Sequence, residues 1–189
     1  LKGDVDFAVS IPSTRIYRLA VSPDFALLAA SCQQFESDST LYNFVRVWDV
    51  ASGKRIDEFA MPSWTMGLEF GPASGLLAAI SFDEGNFVLR DVRNRASLRQ
   101  IDGMQEHIQD LHFTSGGLRM VSASRHEVAF WNTETWRPVI DLKLDRFSAD
   151  YVFNPQLRLY DNSRTVLANQ ANGTIRMWQI PRTVEPTMR

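Results

Sequence analysis

The sequence of 189 residues has a single cysteine, only three lysines and no long hydrophobic run. A lone Cys32 excludes an internal disulfide and any metal site built from several cysteines, and it suits a reducing compartment. The longest apolar run, around residues 76–80, has the length of a strand and falls far short of the roughly 18 residues that a membrane span needs. We therefore expect a cytoplasmic protein with no membrane-spanning segment.

The chain also lacks a surplus of positive charge. Its 22 acidic and 20 basic residues give a formal net charge of −2, whereas a general nucleic-acid binder usually shows a basic surplus. Hydrophobic residues at 44% and charged residues at 22% are typical of a globular chain. The sequence opens at Leu1 without a methionine or a signal-like segment, so we expect a segment of a longer or processed polypeptide.

Established catalytic and metal-binding motifs are missing as well: there is no HExxH, no paired CxxC, no glycine-rich phosphate loop and no GxSxG elbow. His107 and His112 flank a predicted strand five residues apart, which places them on opposite faces. Asp110 and His112 share a face, and we expect a structural pair rather than part of a catalytic triad. For Cys32 we expect buried packing. The sequence therefore predicts no catalytic residue, no cofactor and no metal.

What the sequence does contain is a repeat, in which one short apolar motif recurs four times: VRVWDV (45–50), FVLRDV (87–92), VAFWNT (128–133) and IRMWQI (175–180). With Trp48 as reference, the equivalent positions are Arg90, Trp131 and Trp178, at offsets of 42, 41 and 47 residues. Short apolar stretches separated by turn-forming residues surround each motif, and helical periodicity is absent. These features predict an all-β chain of four-stranded units.

A period of about 40–45 residues, four strands per unit and a Trp-Asp ending resemble the WD-repeat family. Trp48-Asp49 is a literal match, and Trp131-Asn132 and Trp178-Gln179 are near matches. The resemblance covers residues 5–180 and implies a β-propeller segment, over 1–180, with four WD-type blades. Its repeats span about 5–50, 54–92, 96–133 and 137–180, and residues 181–189 form a tail or the start of the next strand.

The family order places the outermost strand first in each repeat. Residues 5–9 are then expected to be an outermost strand without a preceding blade, and residues 175–180 a Trp strand without a following one. Because rings of this family usually have seven or eight blades, we expect these four to be part of a larger ring. Blades on a missing segment, a partner chain or a second copy would complete it.

Several positions depart from the family pattern. Ala60-Met61 and Gly103-Met104 replace the usual Gly-His pair, and the turn before the Trp strand lacks its usual Asp. We therefore expect the hydrogen-bonded network inside each blade not to form. Arg90, which replaces the packing Trp, is expected either to reach a carboxylate in the neighbouring blade or to extend its stem over apolar surface.

In this family partners commonly dock on the loops that join outermost to innermost strands and middle to Trp strands. Mapped onto this chain, those loops contain the predicted protein-binding residues, which are Arg15, Tyr42, Trp64, Glu84, Glu106, His107, Arg125 and Asn172. Trp64 is the strongest candidate because exposed aromatics anchor interfaces, with core packing as the alternative. Asn172-Gly173 also suits a two-residue hairpin turn. Arg90, Arg93, Arg95 and Arg99 form either a surface for an acidic partner or a solvated edge.

These features predict a non-catalytic interaction scaffold that binds a protein partner or another domain of its parent chain, and neither nucleic acid nor membrane. The alternative is a regulatory or sensor propeller domain of a larger enzyme, such as a kinase, NTPase or protease. A propeller enzyme is the weakest hypothesis, because we find no carboxylates or metal ligands that would converge on a central channel.

Overall fold

The chain folds into antiparallel sheets whose strands follow one another in sequence. A computed structural model describes residues 11, 14–35, 41–73, 75–82, 87–101, 108–124, 126–144, 156–160, 164–170 and 172–180. Every regular element in these ranges is a strand, and none of them holds a helix long and apolar enough to cross a membrane.

The described strands form four sheets in chain order. The first sheet contains β1 (Thr14–Val21), β2 (Leu27–Phe35), β3 (Leu41–Asp49) and β4 (Arg55–Ala60). The second contains β5 (Thr65–Phe70), β6 (Leu76–Ser81), β7 (Phe87–Asp91) and β8 (Ala96–Ile101). The third contains β9 (Asp110–Phe113), β10 (Arg119–Ala123), β11 (Glu127–Asn132) and β12 (Pro138–Lys143). The fourth contains β13 (Leu157–Tyr160), β14 (Thr165–Asn169) and β15 (Ile175–Gln179). The strand predicted at residues 5–9 lies outside the described residues.

The chain divides into two compact units, residues 1–104 and 105–189, and each has its own core. In the first unit the first and second sheets pack together over a cluster of buried residues: Leu27, Ala29, Val45, Val47, Phe59, Met61, Phe70, Leu77, Ala79 and Val92. In the second unit the third and fourth sheets do the same with Val121, Ala123, Val128, Phe130, Leu144, Leu157, Val166 and Ala168. A sheet that buries apolar side chains against a neighbouring sheet gains most of its stability there.

Strand β6 shows why the sequence does not alternate strictly between apolar and polar residues. Leu77 and Ala79 belong to the core shared with the first sheet, while Ala78 and Ile80 point to the other face and are also fully buried. A strand buried on both faces reads as a continuous apolar run. The LLAAI run therefore follows from two-sided burial.

Two sheet faces leave apolar side chains in solvent. On the first sheet, Leu19 and Val21 flank Ala20, which packs against the shared core, so they project from the opposite face and are exposed. On the fourth sheet, Ile175 and Met177 project away from the core of its unit and are exposed by 72% and 64%. The face of the first sheet is only partly exposed, because Ala30, Cys32, Phe44 and Trp48 on it are buried.

The Trp positions lie on the third strand of their sheets. In the third sheet, Trp131 pairs with Met120, and its indole Nε1 donates a hydrogen bond of 2.9 Å to the buried hydroxyl of Ser122, two residues further along β10. The equivalent residues of the other sheets are alanines, which offer no acceptor: Ala30, Ala79 and Ala168. The expectation that the network inside the blades would be absent is therefore wrong for this one bond.

The acid that follows the Trp position closes the next turn. The backbone N–H and hydroxyl of Ser52 both donate to Asp49 Oδ1, at 2.8 Å and 2.6 Å. Asp91 accepts the backbone N–H of Asn94 at 3.0 Å and its side-chain amide at 2.7 Å. These hydrogen bonds hold the pKa of both carboxyl groups below the usual value of an aspartate. The Asp of the repeat is thus a turn residue.

An amide performs the same task in the third sheet, where Asn132 Oδ1 accepts two backbone N–H groups of its turn. The fourth residue after each of these side chains adopts a left-handed conformation: Gly53 with φ 67°, Arg95 with φ 54° and Trp136 with φ 54°. Only glycine takes this conformation without steric cost. The second and third sheets therefore keep the same turn, although Arg95 and Trp136 do not favour its left-handed conformation.

Candidate protein-binding surface

Seven side chains lie at one end of the first and second sheets, where β1, β3 and β5 begin and β2, β4 and β6 end. We call this surface the aromatic end, and it consists of Arg15, Tyr17, Phe35, Leu41, Tyr42, Trp64 and Phe82. Antiparallel order brings these chain positions together, because alternate strand ends fall on the same side of a sheet.

Trp64 lies at the centre of the aromatic end. Its ring centroid is 5.8 Å from that of Tyr17 and 4.7 Å from that of Phe82, and both contacts are edge-to-face, with interplanar angles of 86° and 79°. The Trp64 carbonyl also accepts the backbone N–H of Phe82 at 3.0 Å. Trp64 nevertheless remains 39% exposed. The ring is therefore packed at its edges and still partly exposed, and its role in binding a partner stays a prediction.

A series of hydrogen bonds connects Tyr17 of the aromatic end to the neighbouring strands. The Tyr17 hydroxyl donates to Gln33 Oε1 at 2.8 Å, and Gln33 Nε2 donates to Asn43 Oδ1 at 3.1 Å. The Asn43 carbonyl in turn accepts the backbone N–H of Met61 at 2.9 Å. Tyr17 is therefore tied across three strands, which holds the aromatic surface in one arrangement.

The rim of the surface combines charge with apolar area. The Arg15 guanidinium lies 5.4 Å from the centre of the Phe35 ring, a cation–π distance, and Phe35 and Leu41 are exposed. Tyr42 stacks on Phe44 with centroids 5.4 Å apart, and its side chain projects from the other face of the first sheet. Arg15 and Trp64 are thus brought to one side of the aromatic end, with Tyr42 at the same end across the sheet.

Asn172 belongs to the second unit and serves its turn. Its Oδ1 accepts the backbone N–H of Thr174 at 3.0 Å and the Thr174 hydroxyl at 2.6 Å, and Gly173 next to it has φ 81°. These contacts explain the residue as a turn former between β14 and β15. The other predicted binding residues lie outside the described ranges: Glu84, Glu106, His107 and Arg125.

The sequence did not indicate Tyr17 and Phe82 as members of the aromatic end. Tyr17 lies where the pairing of β1 with β2 shifts by one residue, between Ile16 and Arg18. A bulge changes the face toward which a side chain projects, and nothing in the local sequence announces it. Phe82 follows directly after the apolar β6, where it resembles a continuation of the core. Its position next to a turn was the available signal.

The residue at the Trp position of the second sheet, Arg90, makes the principal ion pair between the first two sheets. Its Nε and Nη2 donate to the two carboxylate oxygens of Asp57 on β4, both at 2.8 Å, and its Nη1 donates to the Ser97 hydroxyl at 3.0 Å. Its guanidinium also lies 5.1 Å from the Phe59 ring centre. The Asp57 hydrogen bonds raise the pKa of Arg90 despite partial burial. Of the two alternatives predicted for Arg90, the contact with a carboxylate of the neighbouring sheet is confirmed.

Asp110, His112 and Cys32 were considered as candidates for catalysis, and their contacts are those of structural residues. Asp110 Oδ2 accepts the backbone N–H of Leu157 at 2.7 Å, which joins β9 to β13, and lies 3.8 Å from His112 Nε2. Cys32 is buried, and that burial raises its thiol pKa to about 11. Among the described residues, no three His, Cys, Asp or Glu side chains are grouped so that they could hold a metal ion.

Comparison with solved structures identifies the architecture. The chain is similar to the beta-propeller domain of Cps50 (Swd1) from Myceliophteria thermophila, with a TM-score of 0.73 and 18% sequence identity. The match covers 92% of this chain and 55% of that chain, so the chain spans about half the length of the solved propeller. No family model and no curated protein matches the sequence.

Proposed function

We propose that this β-propeller segment, whose four sheets are its blades, is a non-catalytic scaffold that binds a protein partner through the aromatic end. The observation that carries the proposal is Trp64, whose ring is fixed between Tyr17 and Phe82 and yet remains 39% exposed. Exposed aromatic residues in fixed positions are typical binding hot spots.

The composition of the aromatic end favours a protein over a small molecule. Interface cores are enriched in Tyr, Trp, Phe and Arg and depleted in Lys and Glu, and the aromatic end has this character. The hydrogen-bonded support under Tyr17 lowers the entropy that binding would cost, because the ring is ordered beforehand. The partner we propose is a protein segment with apolar side chains that fit against Trp64.

The test compares two exposed aromatics at opposite ends of the first two blades. Trp64→Ala removes the proposed anchor, whereas Phe25→Gly removes a ring that is 77% exposed in the turn between β1 and β2. Each variant is cross-linked to partners in cell extract, and recovery is measured by quantitative mass spectrometry. We expect recovery to fall roughly tenfold or more for Trp64→Ala and to stay unchanged for Phe25→Gly. Equal recovery for the two variants would contradict the proposal.

We also infer that further propeller blades cover the exposed apolar faces of the first and fourth blades. Propeller blades bury both faces against neighbours, and these two faces present Leu19 and Val21, and Ile175 and Met177, to solvent. The 55% coverage of the solved propeller supports the same inference. The blades would come from additional polypeptide, from a partner, or from a second copy of this chain, which light scattering distinguishes by mass.

A further inference from the structure

A polar cleft lies between the first two blades, at the end opposite to Trp64. It has a volume of about 360 Å³ and is lined by Arg55, Ile56, Asp57, Glu58, Arg90 and Arg95. Residues 55–58 begin β4, Arg90 lies near the end of β7, and Arg95 lies in the turn before β8. Three guanidinium groups therefore face one cavity in a protein whose overall charge is slightly negative.

The inner wall of the cleft is rigid. Arg90 is held by two hydrogen bonds to Asp57 and one to Ser97, which fixes the plane of its guanidinium. A guanidinium has five N–H donors, so two donors of Arg90 remain for a further acceptor. A guanidinium that is already oriented loses little entropy when an anion binds to it.

The charges in the cleft leave a positive surplus of one. Glu58 accepts a hydrogen bond from Arg55 at 2.8 Å and is also paired with Arg46, and Asp57 is paired with Arg90. Arg95 has no hydrogen-bond or ion-pair partner within the described part of the chain. Its exposed side chain therefore brings an uncompensated charge to the edge of the cleft.

The backbone of Arg95 allows a clean substitution. Its φ of 54° is left-handed, as at the equivalent Gly53 and Trp136, so the angle belongs to the repeated turn. An L-residue with a side chain is disfavoured in this conformation. Glycine would satisfy the turn better, so the structure itself gives no stability reason for an arginine here.

We propose that this cleft is a second binding site, which takes a side-chain carboxylate from an acidic peptide segment. Arg90 and Arg95 donate to the carboxylate, and Arg55 supplies further positive charge. A single carboxylate balances the one positive charge that Arg95 leaves unpaired, whereas a dianionic phosphate would be repelled more strongly by Asp57. The site lies at the other end of the blades from Trp64 and does not depend on the function proposed for the aromatic end.

The test uses a fluorescein-labelled peptide of six glutamates, a matched peptide of six glutamines, and inorganic phosphate as competitor. Arg95→Gly is the central variant, because it removes the guanidinium and at the same time suits the left-handed backbone. We expect its affinity for the glutamate peptide to fall at least fivefold while its melting temperature is unchanged or higher. A merely structural arginine would instead lower the melting temperature and leave the affinity unchanged.

Two further variants keep the test decisive. Arg55→Gln, which changes an exposed side chain of the cleft, should also lower the affinity, whereas Arg137→Ala, an exposed arginine of the second unit, should leave it unchanged. The proposal is overturned if the glutamine peptide binds as well as the glutamate peptide, or if all three arginine variants have equal effects. Displacement of the peptide by millimolar phosphate would overturn the preference for a carboxylate and identify a phosphate site instead.

Discussion

Arg90 reaches from the second blade to Asp57 of the first with a bidentate ion pair, in which both hydrogen bonds measure 2.8 Å. The side chains are only 12% and 2% exposed, so the pair is largely withdrawn from water. It occupies the place that a packing Trp holds in the other three repeats. The ion pair joins two blades. Loss of either partner leaves a buried charge unpaired, which lowers the free energy of unfolding strongly.

We therefore predict that Asp57→Ala and Arg90→Ala each lower the free energy of unfolding by about 3 kcal/mol, since each leaves a buried charge without its partner. The double variant should cost less than the sum of the two, because no unpaired charge remains. Urea denaturation of the four proteins measures the coupling. The exposed pair of Arg93 and Asp24, 3.5 Å apart, is the matched control, for which we expect a coupling below about 1 kcal/mol. Additive effects at Arg90 and Asp57 would show that the pair contributes no coupling.

A second prediction concerns the left-handed residues that are not glycine. Trp136→Gly and Phe25→Gly should each raise the free energy of unfolding by about 1 kcal/mol, because they remove the steric cost of φ 54° and φ 57°. Gly53→Ala introduces that cost at the equivalent turn and should lower stability by a similar amount. Thermal melting followed by circular dichroism measures all three. Loss of stability in Trp136→Gly would mean that packing of the ring outweighs the strain.

The buried thiol of Cys32 gives a pH-dependent prediction. Its pKa is about 11 in the folded chain against a reference value of 9.0, so the folded state retains the proton longer than the unfolded state. Its contribution to stability is complete below pH 9 and is lost as the pH rises toward 11. Subtracting the pH profile of Cys32→Ala from that of the original chain should reveal this loss. We also expect no reaction with a thiol reagent at pH 8 until urea unfolds the chain.

The turn aspartates predict the opposite pH dependence. The pKa of Asp49 is lowered in the folded chain, so its contribution to stability is present above the reference value of 3.8 and is lost as the pH falls further. Asp49→Asn should retain the turn, because Asn132 closes the equivalent turn of the third blade with an amide. We expect this variant to lose less stability than the original chain between pH 4 and pH 2. Identical acid profiles would show that the carboxylate has no special role.

The exposed blade faces predict association in solution. Without covering blades, the chain should form oligomers that grow with concentration, because apolar side chains such as Ile175 are 72% exposed. Replacing both Ile175 and Met177 with lysine should reduce the average mass measured by light scattering. The exposed Leu98→Lys, in β8 of the second blade, is the control and should have no such effect. A monodisperse monomer of the original chain at all concentrations would contradict this prediction.

The blades were predictable from sequence because the repeat is carried by local features. Each repeat can be recognised from a few neighbouring residues: turn formers, short apolar stretches and a pair such as Trp48-Asp49. The observed strands coincide with these apolar stretches. Even the contact of Arg90 with a neighbouring carboxylate could be anticipated, since a buried guanidinium requires a partner. The sequence did not indicate that the partner would be Asp57, which depends on how two blades pack.

The geometry of the proposed binding surface was only partly predictable from the sequence. Trp64 and Arg15 could be placed by mapping loops onto the family order, but the contacts of Trp64 with Tyr17 and Phe82 depend on a strand irregularity and on the packing of two sheets. Arg95 shows a different limit. Its sequence neighbourhood is an ordinary turn, and only the backbone angle reveals that a glycine would suit the position better.

The polar contact between neighbouring blades is different in each of the two units. The first and second blades are joined by Asp57 and Arg90, whereas the third and fourth are joined by the Asp110 carboxylate and a backbone N–H. If the second blade were exchanged with the third, Asp57 would face Trp131 in place of Arg90 and would be buried without a counter-charge. The four repeats are similar in outline, yet the first blade can satisfy Asp57 only when the blade beside it carries Arg90.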